Sequence, residues 1–380
     1  MYNDIRRQYY CNKLLAIVLP LMALLTACSS DDEQKDDSHM VTLQGINATI
    51  EGTSDEVTRL HIGTNSQTAD GEDLKTYFDT NDKIYCSVTF EHDGTQHPYN
   101  HTGGGTFAST TSPLQFDNTK NQHLIAFYRG DYESTGAHRR RLRNGYTFTV
   151  PTDQSSEQGT YTYPGFMDGE FLYAHTDITA DMVGEGKYPS LTFKHKTSRL
   201  ILRVHLISDT AVDDDGTVIG TKYKADNVSA AYFGCNSGNT GNGSTPTVTN
   251  SRQNVTYMDQ STSANGLIYT NSVVTLDENT ASATYGNVTL NTITSGSNNY
   301  RKVLKGLRRQ KGDKEVWFTV VFPPQTFSAP SYGFFNVVFK KEGGSNENYL
   351  FPLLIQRVCE EGKVYYYDVL IGSHKPNSGI

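Results

Sequence analysis

Apolar residues recur at every second position, in short runs, from one end of this chain to the other. Ile84, Cys86, Val88 and Phe90 fall on one side of such a run, with Tyr85, Ser87 and Thr89 on the other. Tyr146, Phe148 and Val150 repeat the pattern, as do Leu200, Leu202, Val204 and Leu206 opposite Arg203 and His205. Val316, Phe318, Val320 and Phe322 follow, then Phe335, Val337 and Phe339, then Tyr365, Tyr367 and Val369. Side chains alternate across a strand, so a period of two predicts strands with one packed face and one solvated face. No helical period persists beyond a few turns, and clusters of Gly, Asn, Asp and Ser separate the runs as turns. The pattern predicts an all-β chain of sandwiches.

Charged residues make up only 19% of the chain, and the abundance of Thr, Ser, Asn, Gly and Tyr suits an extracellular β protein. The net charge of −8 argues against a nucleic-acid partner. A single core stops growing well below 380 residues, so two sandwiches are expected. The boundary is expected in the polar, Gly-containing stretch between Thr179 and Ser190, dividing the chain into 41–187 and 188–380. The Gly, Asn, Ser and Thr-rich stretch from Cys235 to Asn265 is predicted to be surface loop, either a decoration or a place where a ligand is met. Of the five cysteines, Cys86, Cys235 and Cys359 are too scattered for a disulfide framework or a metal site, and Cys86 reads as a small core residue.

The first residues have the layout of a targeting segment. Arg6, Arg7 and Lys13 precede an apolar run, Leu14 to Leu25, broken only by Pro20. About a dozen apolar residues are too few to span a bilayer comfortably and suit a signal peptide. A plain secretory signal and a short membrane anchor are alternative readings of the same run. Leu25-Thr26-Ala27-Cys28 resembles the lipobox of bacterial lipoproteins. That resemblance implies that residues 1–27 are removed and that the thiol of Cys28 is acylated, anchoring the chain to the outer membrane. Each buried methylene contributes ~0.8 kcal/mol, so two or three acyl chains hold permanently where one holds reversibly. Residues 28–40, with Asp31, Asp32, Glu33, Asp36 and Asp37, are expected to form a disordered tether. This acidic stretch resembles the export signal of Bacteroidetes surface lipoproteins, and the alternative reading is an ordinary solvated linker.

Further along, several runs resemble the fimbrillin family. Phe78-Asp79-Thr80-Asn81-Asp82-Lys83-Ile84 is similar to its opening strand, an aromatic followed by (G/N)DKI. Leu124 to Tyr128 resembles its A-Y-Y-P strand, with Arg129 in place of the proline. Asp168 to Ala174 is similar to its D-x-L-x-A segment, and Leu191 to Leu200 to its L-x-F-x-H-x-x-(S/A)-(R/K)-L strand. Phe322-Pro323-Pro324-Gln325 is similar to its (V/I)-P-Q element, and Gly362 to Tyr367 to its terminal G-K-x-Y-x-Y strand. The matches keep the family's order from about residue 41 to 370.

The resemblance implies two tandem transthyretin-like Greek-key β-sandwiches and a role in surface fimbriae and adhesion to a host or bacterial surface ligand. It implies partner subunits joined by donor-strand exchange, in which a neighbour's strand fills a groove left by a missing one. Such a strand gains ~1 kcal/mol net per backbone hydrogen bond, so buried apolar side chains, at about 1.5–3 kcal/mol each, must supply much of the stability. In polymerising members an arginine-specific protease removes the first strand. Arg59, between Val57-Thr58 and Leu60-His61-Ile62, is the candidate cleavage site here, and the bland reading is a surface charge. The polar tail from Ile371 to Ile380 lacks the alternation of a donor strand, which favours a tip or anchor over a stalk subunit.

Catalytic chemistry is not signalled. No nucleophile elbow, HExxH motif or P-loop appears, so no catalytic residue, cofactor or metal ligand is assigned. His195 and His205 lie ten apart on a presumed strand, too far for joint ligation, and read as packed or solvated. Asp213-Asp214-Asp215-Gly216 reads as an acidic hairpin turn or a calcium loop. His138 to Arg143 is a basic loop, a protease site, or a contact for anionic glycans. Tyr161 and Tyr163 suit sugar stacking or ordinary strand packing. The competing function is therefore a surface glycan-binding lipoprotein of a polysaccharide-uptake system.

Overall fold

The computed structural model describes residues 39–51, 78, 82–88, 96–109, 111–120, 122–129, 145–157, 165–183, 186–206, 210–212, 218–221, 224–235, 267–279, 281–294, 301–340 and 346–372. The first ten strands are Met40–Leu43 (β1), Gly45–Ile50 (β2), Lys83–Val88 (β3), His97–Gly103 (β4), Thr106–Ala108 (β5), Leu114–Asp117 (β6), Gln122–Arg129 (β7), Thr147–Thr149 (β8), Phe171–Ile178 (β9) and Ser190–His195 (β10). The next eight are Ser198–Leu206 (β11), Thr210–Val212 (β12), Val218–Thr221 (β13), Val228–Phe233 (β14), Ile268–Tyr269 (β15), Asn271–Leu276 (β16), Val288–Thr292 (β17) and Arg301–Lys302 (β18). Leu304–Lys305 (β19), Leu307–Gln310 (β20), Glu315–Phe322 (β21), Gln325–Phe327 (β22), Ser331–Phe339 (β23), Glu347–Leu353 (β24), Arg357–Cys359 (β25) and Val364–Ile371 (β26) complete the series. Among the described residues the only helical pieces are single 3-10 turns such as Met167–Gly169, so the chain is all-β as its alternation predicts.

The first sheet closes on itself in the order β10-β2-β5-β4-β3-β7-β9. Closure depends on β10, which divides its length between two partners. Ser190 to Phe193 pair in parallel with β2, whereas Lys194 and His195 pair antiparallel with β9. β1 bends out of this ring and pairs with β6.

One-sided burial fails for the middle of this ring. Tyr85 and Ser87 of β3 are buried along with Ile84 and Cys86, and every residue from Leu124 to Tyr128 of β7 is buried. The cover comes from far along the chain. Hairpin β16–β17 pairs with β8 in a three-stranded sheet, and Val274, Leu276, Val288 and Leu290 join the first core. The Tyr173 hydroxyl donates to the carbonyl of Gly286 at the hairpin's end, and Tyr285 stacks on His123 at 4.6 Å. Strands buried on both faces lose the alternation that a half-solvated strand shows.

These pairings move the expected boundary at 187/188. β10 belongs to the first ring, so the chain passes to the second core only after His195, and residues 271–292 return to the first. The segment 188–380 is therefore not a unit by itself.

The second core follows the alternation closely. Sheets β20-β21-β11-β26 and β19-β14-β23-β24 face each other across Leu200, Leu202, Val204, Val316, Phe318, Val320, Phe335 and Val337. Phe335 meets Tyr367 at 4.9 Å between the two sheets. β26 runs parallel to β11, as β2 does to β10.

Two glutamines act as substitute backbone. Gln154, buried, accepts from the N–H of Val321 at 2.8 Å and donates to its carbonyl at 2.8 Å. Gln325, from the family-like Pro-Gln element, treats Tyr269 the same way at 2.9 and 3.0 Å. Leaving a buried donor or acceptor unpaired costs about 1–3 kcal/mol. Gln154→Ala is accordingly expected to lower unfolding free energy by about 2–3 kcal/mol, read from the urea midpoint at unchanged slope.

Candidate functional site

β2 is held in parallel by β10 on one side and antiparallel by β5 on the other. Its core face carries Ile46, Ala48 and Ile50, all buried, while Asn47 and Thr49 face outward. Leu43 of β1 is buried as well. Backbone bonds tie β2 to both flanks: Asn47 N–H donates to the carbonyl of Pro189 at 2.9 Å and Ala48 N–H to that of Gly105 at 2.7 Å. At its end, Glu51 N–H donates to the carbonyl of Phe193 at 2.8 Å. Gly105 must be glycine. Its φ is +79° and a Cβ there would stand 2.8 Å from the Ala48 carbonyl oxygen.

Three aromatic rings floor the place that β2 occupies. Ile46 pairs with Phe107 on β5, and Ile50 pairs with Phe193 on β10. Phe78 meets both rings edge-on, Phe107 at 4.9 Å and Phe193 at 5.5 Å, so it bridges the two flanking strands beneath β2. At the β1 end, the buried hydroxyl of Tyr99 donates to the carbonyl of Leu43 at 2.6 Å and accepts from Leu114 N–H at 3.1 Å. Burial, together with the thiol of Cys86, pushes the Tyr99 phenol well above its usual range, so it remains a donor.

The main buried ionic group lies where the chain crosses between cores. Glu170, just ahead of β9, is buried and takes three donors. Its carboxylate accepts from His195 Nδ1 at 3.0 Å, Thr197 Oγ1 at 3.0 Å and the Arg199 guanidinium at 2.5 Å. Arg199 also lies over the ring of Phe166 at 5.2 Å. Burial alone would raise the Glu170 carboxyl, but the charges of Arg199 and His195 and their hydrogen bonds outweigh it and hold the group down at about 2. His195 is thus packed, as one of its two sequence readings has it. The acid it serves carries no local signal beyond its place in the Asp168–Ala174 motif.

The other candidate residues are placed as follows. Cys28 and Arg59 lie outside the described residues, as do the tether to position 38, the basic run 138–143, Asp213 to Asp215, and Tyr161 and Tyr163. Cys86, Cys235 and Cys359 carry free thiols; burial raises Cys86 well above its ordinary range and pushes Cys235 and Cys359 up to about 12. His205 bonds to Asp368 at 2.9 Å, ten residues and one core away from His195. On the outer face of β11, β21 and β26, Arg203 lies over Trp317 and Tyr366 at 5.9 and 5.0 Å, and Lys311 over Trp317 at 4.7 Å. Cations thus cover the aromatic rings that a sugar would need there.

No protein-family model and no curated protein matches the chain. Among solved structures it is similar to a candidate cell adhesion protein from Bacteroides ovatus, at 14% identity and a TM-score of 0.45, covering 87% of this chain and 92% of that one. It is also similar to a fimbrial assembly protein from Parabacteroides distasonis, at 9% identity and a TM-score of 0.32, over 88% and 93% of the two chains. A third is the fimbrial anchor protein Mfa2 from Porphyromonas gingivalis, at 9% identity and a TM-score of 0.31, over 89% and 92%.

Proposed function

We propose that this chain is a non-enzymatic surface lipoprotein that serves as a fimbrial subunit, at the tip or anchor position, and joins its neighbour by strand exchange at β2. In this reading it comprises two transthyretin-like Greek-key sandwiches, interlaced by β10 and the β16–β17 hairpin. Cys28 carries the lipid, the outer membrane is the anchoring surface, and Arg59 is the point of cleavage.

The observation that supports it is the position of β2. It is the only link between β5 and β10 in the first ring, and it precedes the segment that contains Arg59. A cut there leaves β2 held by non-covalent contacts alone. Its two large buried side chains, Ile46 and Ile50, together with Leu43 of β1, contribute roughly 5–9 kcal/mol gross, which another segment of similar pattern supplies equally. Departure of β2 without replacement bares two unpaired strand edges and the Phe78, Phe107 and Phe193 rings, so the open form is driven to take a strand.

Intact mass and N-terminal sequence of the protein from sheared fibres and from membranes test this. A fibre-borne chain beginning near Leu60, without lipid, supports exchange at a tip. A chain beginning at acylated Cys28 and confined to the membrane supports the anchor position and overturns cleavage at Arg59 and exchange at β2. A chain absent from fibres, unanchored and uncut excludes both.

A further inference from the structure

The inward pattern of β2 leaves one question of register unanswered. Ile46, Ala48 and Ile50 alternate evenly, so a strand slipped by two residues keeps two apolar groups on the core face and brings Gln44 or Gly52 to the third place. The inward pattern opposes the slip at one end only, and the outward face adds a second constraint. Gly45 lies on the outward parity of β2 with Asn47 and Thr49, yet it alone of the three is buried. The ring of Tyr188 covers it: a Cβ at position 45 would stand 2.9 Å from both Cε1 and Cζ of Tyr188 and 3.0 Å from the carbonyl oxygen of Phe107. Tyr188 is itself held two residues ahead of β10, where its carbonyl accepts from the Asn47 side-chain amide at 3.4 Å and the next carbonyl, that of Pro189, from the Asn47 backbone at 2.9 Å. A slip by two in either direction brings Leu43 or Asn47 under the ring, and the Cβ of either fits only if the half-buried Tyr188 ring moves aside.

We infer that Tyr188 and the Phe107 carbonyl form a glycine-reading subsite that fixes the register of the strand in this groove and selects the neighbour by it. The partner strand is an extended segment of another subunit with glycine at this position, an apolar residue directly after it, and apolar residues two and four further on. The inference rests on the strand-exchange reading, and it adds a requirement which that reading does not contain. Outward positions of a strand ordinarily accept any side chain, so a size limit on the outer face discriminates between partners whose inward patterns are alike.

Two measurements test it separately from the exchange itself. In the intact full chain, Gly45→Val is expected to lower the melting temperature, and Tyr188→Ala to recover part of the loss when combined with it; additive effects of the two changes would overturn the subsite. In the second, the full chain carries a protease site beside Arg59, is folded, cut, and offered an excess of labelled peptide spanning residues 40–51. Uptake of that peptide at least tenfold tighter than of its Gly45→Val version supports the inference. Equal uptake of both overturns the inference and leaves strand exchange standing. Uptake of neither, by a chain whose own β2 has left, overturns strand exchange and the inference with it.

Discussion

Glu170→Ala is expected to cost about 3–5 kcal/mol of unfolding free energy, among the largest losses any single change in this chain should produce. The reason is the group left behind. Arg199 is buried, and removing its carboxylate strands a guanidinium charge away from water while also releasing His195 Nδ1 and Thr197. Glu170→Gln, which keeps the shape and loses the charge, should recover only part of this. The same group predicts the acid limb of stability. Its folded pKa, about 2, lies below the ordinary glutamate value of about 4.3, so its contribution is complete above the unfolded value. The contribution is lost as pH falls from about 4.3 towards 2, and urea midpoints across that range should show a slope that Glu170→Gln flattens. An unchanged slope in the variant would mean that other carboxylates govern acid unfolding.

The second large effect is expected at Phe78. Phe78→Ala removes the ring that bridges Phe107 and Phe193, and truncating a buried phenylalanine costs about 3–5 kcal/mol. Position 78 lies outside the regular strands, so the loss should concentrate on the groove rather than spread over the ladder. Amide exchange is expected to quicken in β2 and in the flanking residues of β5 and β10, while β21 and β23 keep their protection. Uniform quickening across both cores would show that Phe78 supports the fold generally and has no particular tie to β2.

Much of this architecture is legible in the alternation of apolar residues, and where it is illegible the cause is physical. β11 from Leu202 onward and β21 up to Phe318 read correctly because one face meets the second core and the other is only half-buried, whereas Ser198–Leu202 and Phe318–Phe322 are buried on both faces. β7 and β9 read poorly because the β16–β17 hairpin packs on them from about a hundred residues away, which no local window detects. The boundary was expected before β10 because Thr179 to Ser190 is polar, whereas pairing with β2 and β9 keeps Leu191 and Phe193 in the first core. Phe78 stands out in the sequence as the aromatic before Asp82-Lys83-Ile84, but its bridging role appears only when β5 and β10 come together. Glu170 and Arg199 sit inside motif-like runs and look like surface charges, since sequence does not show that each is the other's partner. Gly45 resembles any glycine beside a turn until Tyr188 lies over it.

In the proposed exchange β2 must leave for the chain to join its neighbour, so a reversible lock on β2 should block assembly. Thr49 and Thr192 face each other across the parallel pair with their hydroxyls 3.4 Å apart, both exposed. The double variant Thr49→Cys and Thr192→Cys places a disulfide between β2 and β10 without touching either core. The oxidised variant is expected to reach the surface folded but to stay out of fibres, and reduction to restore its entry. Incorporation of the oxidised, disulfide-locked chain at the wild-type level would contradict it.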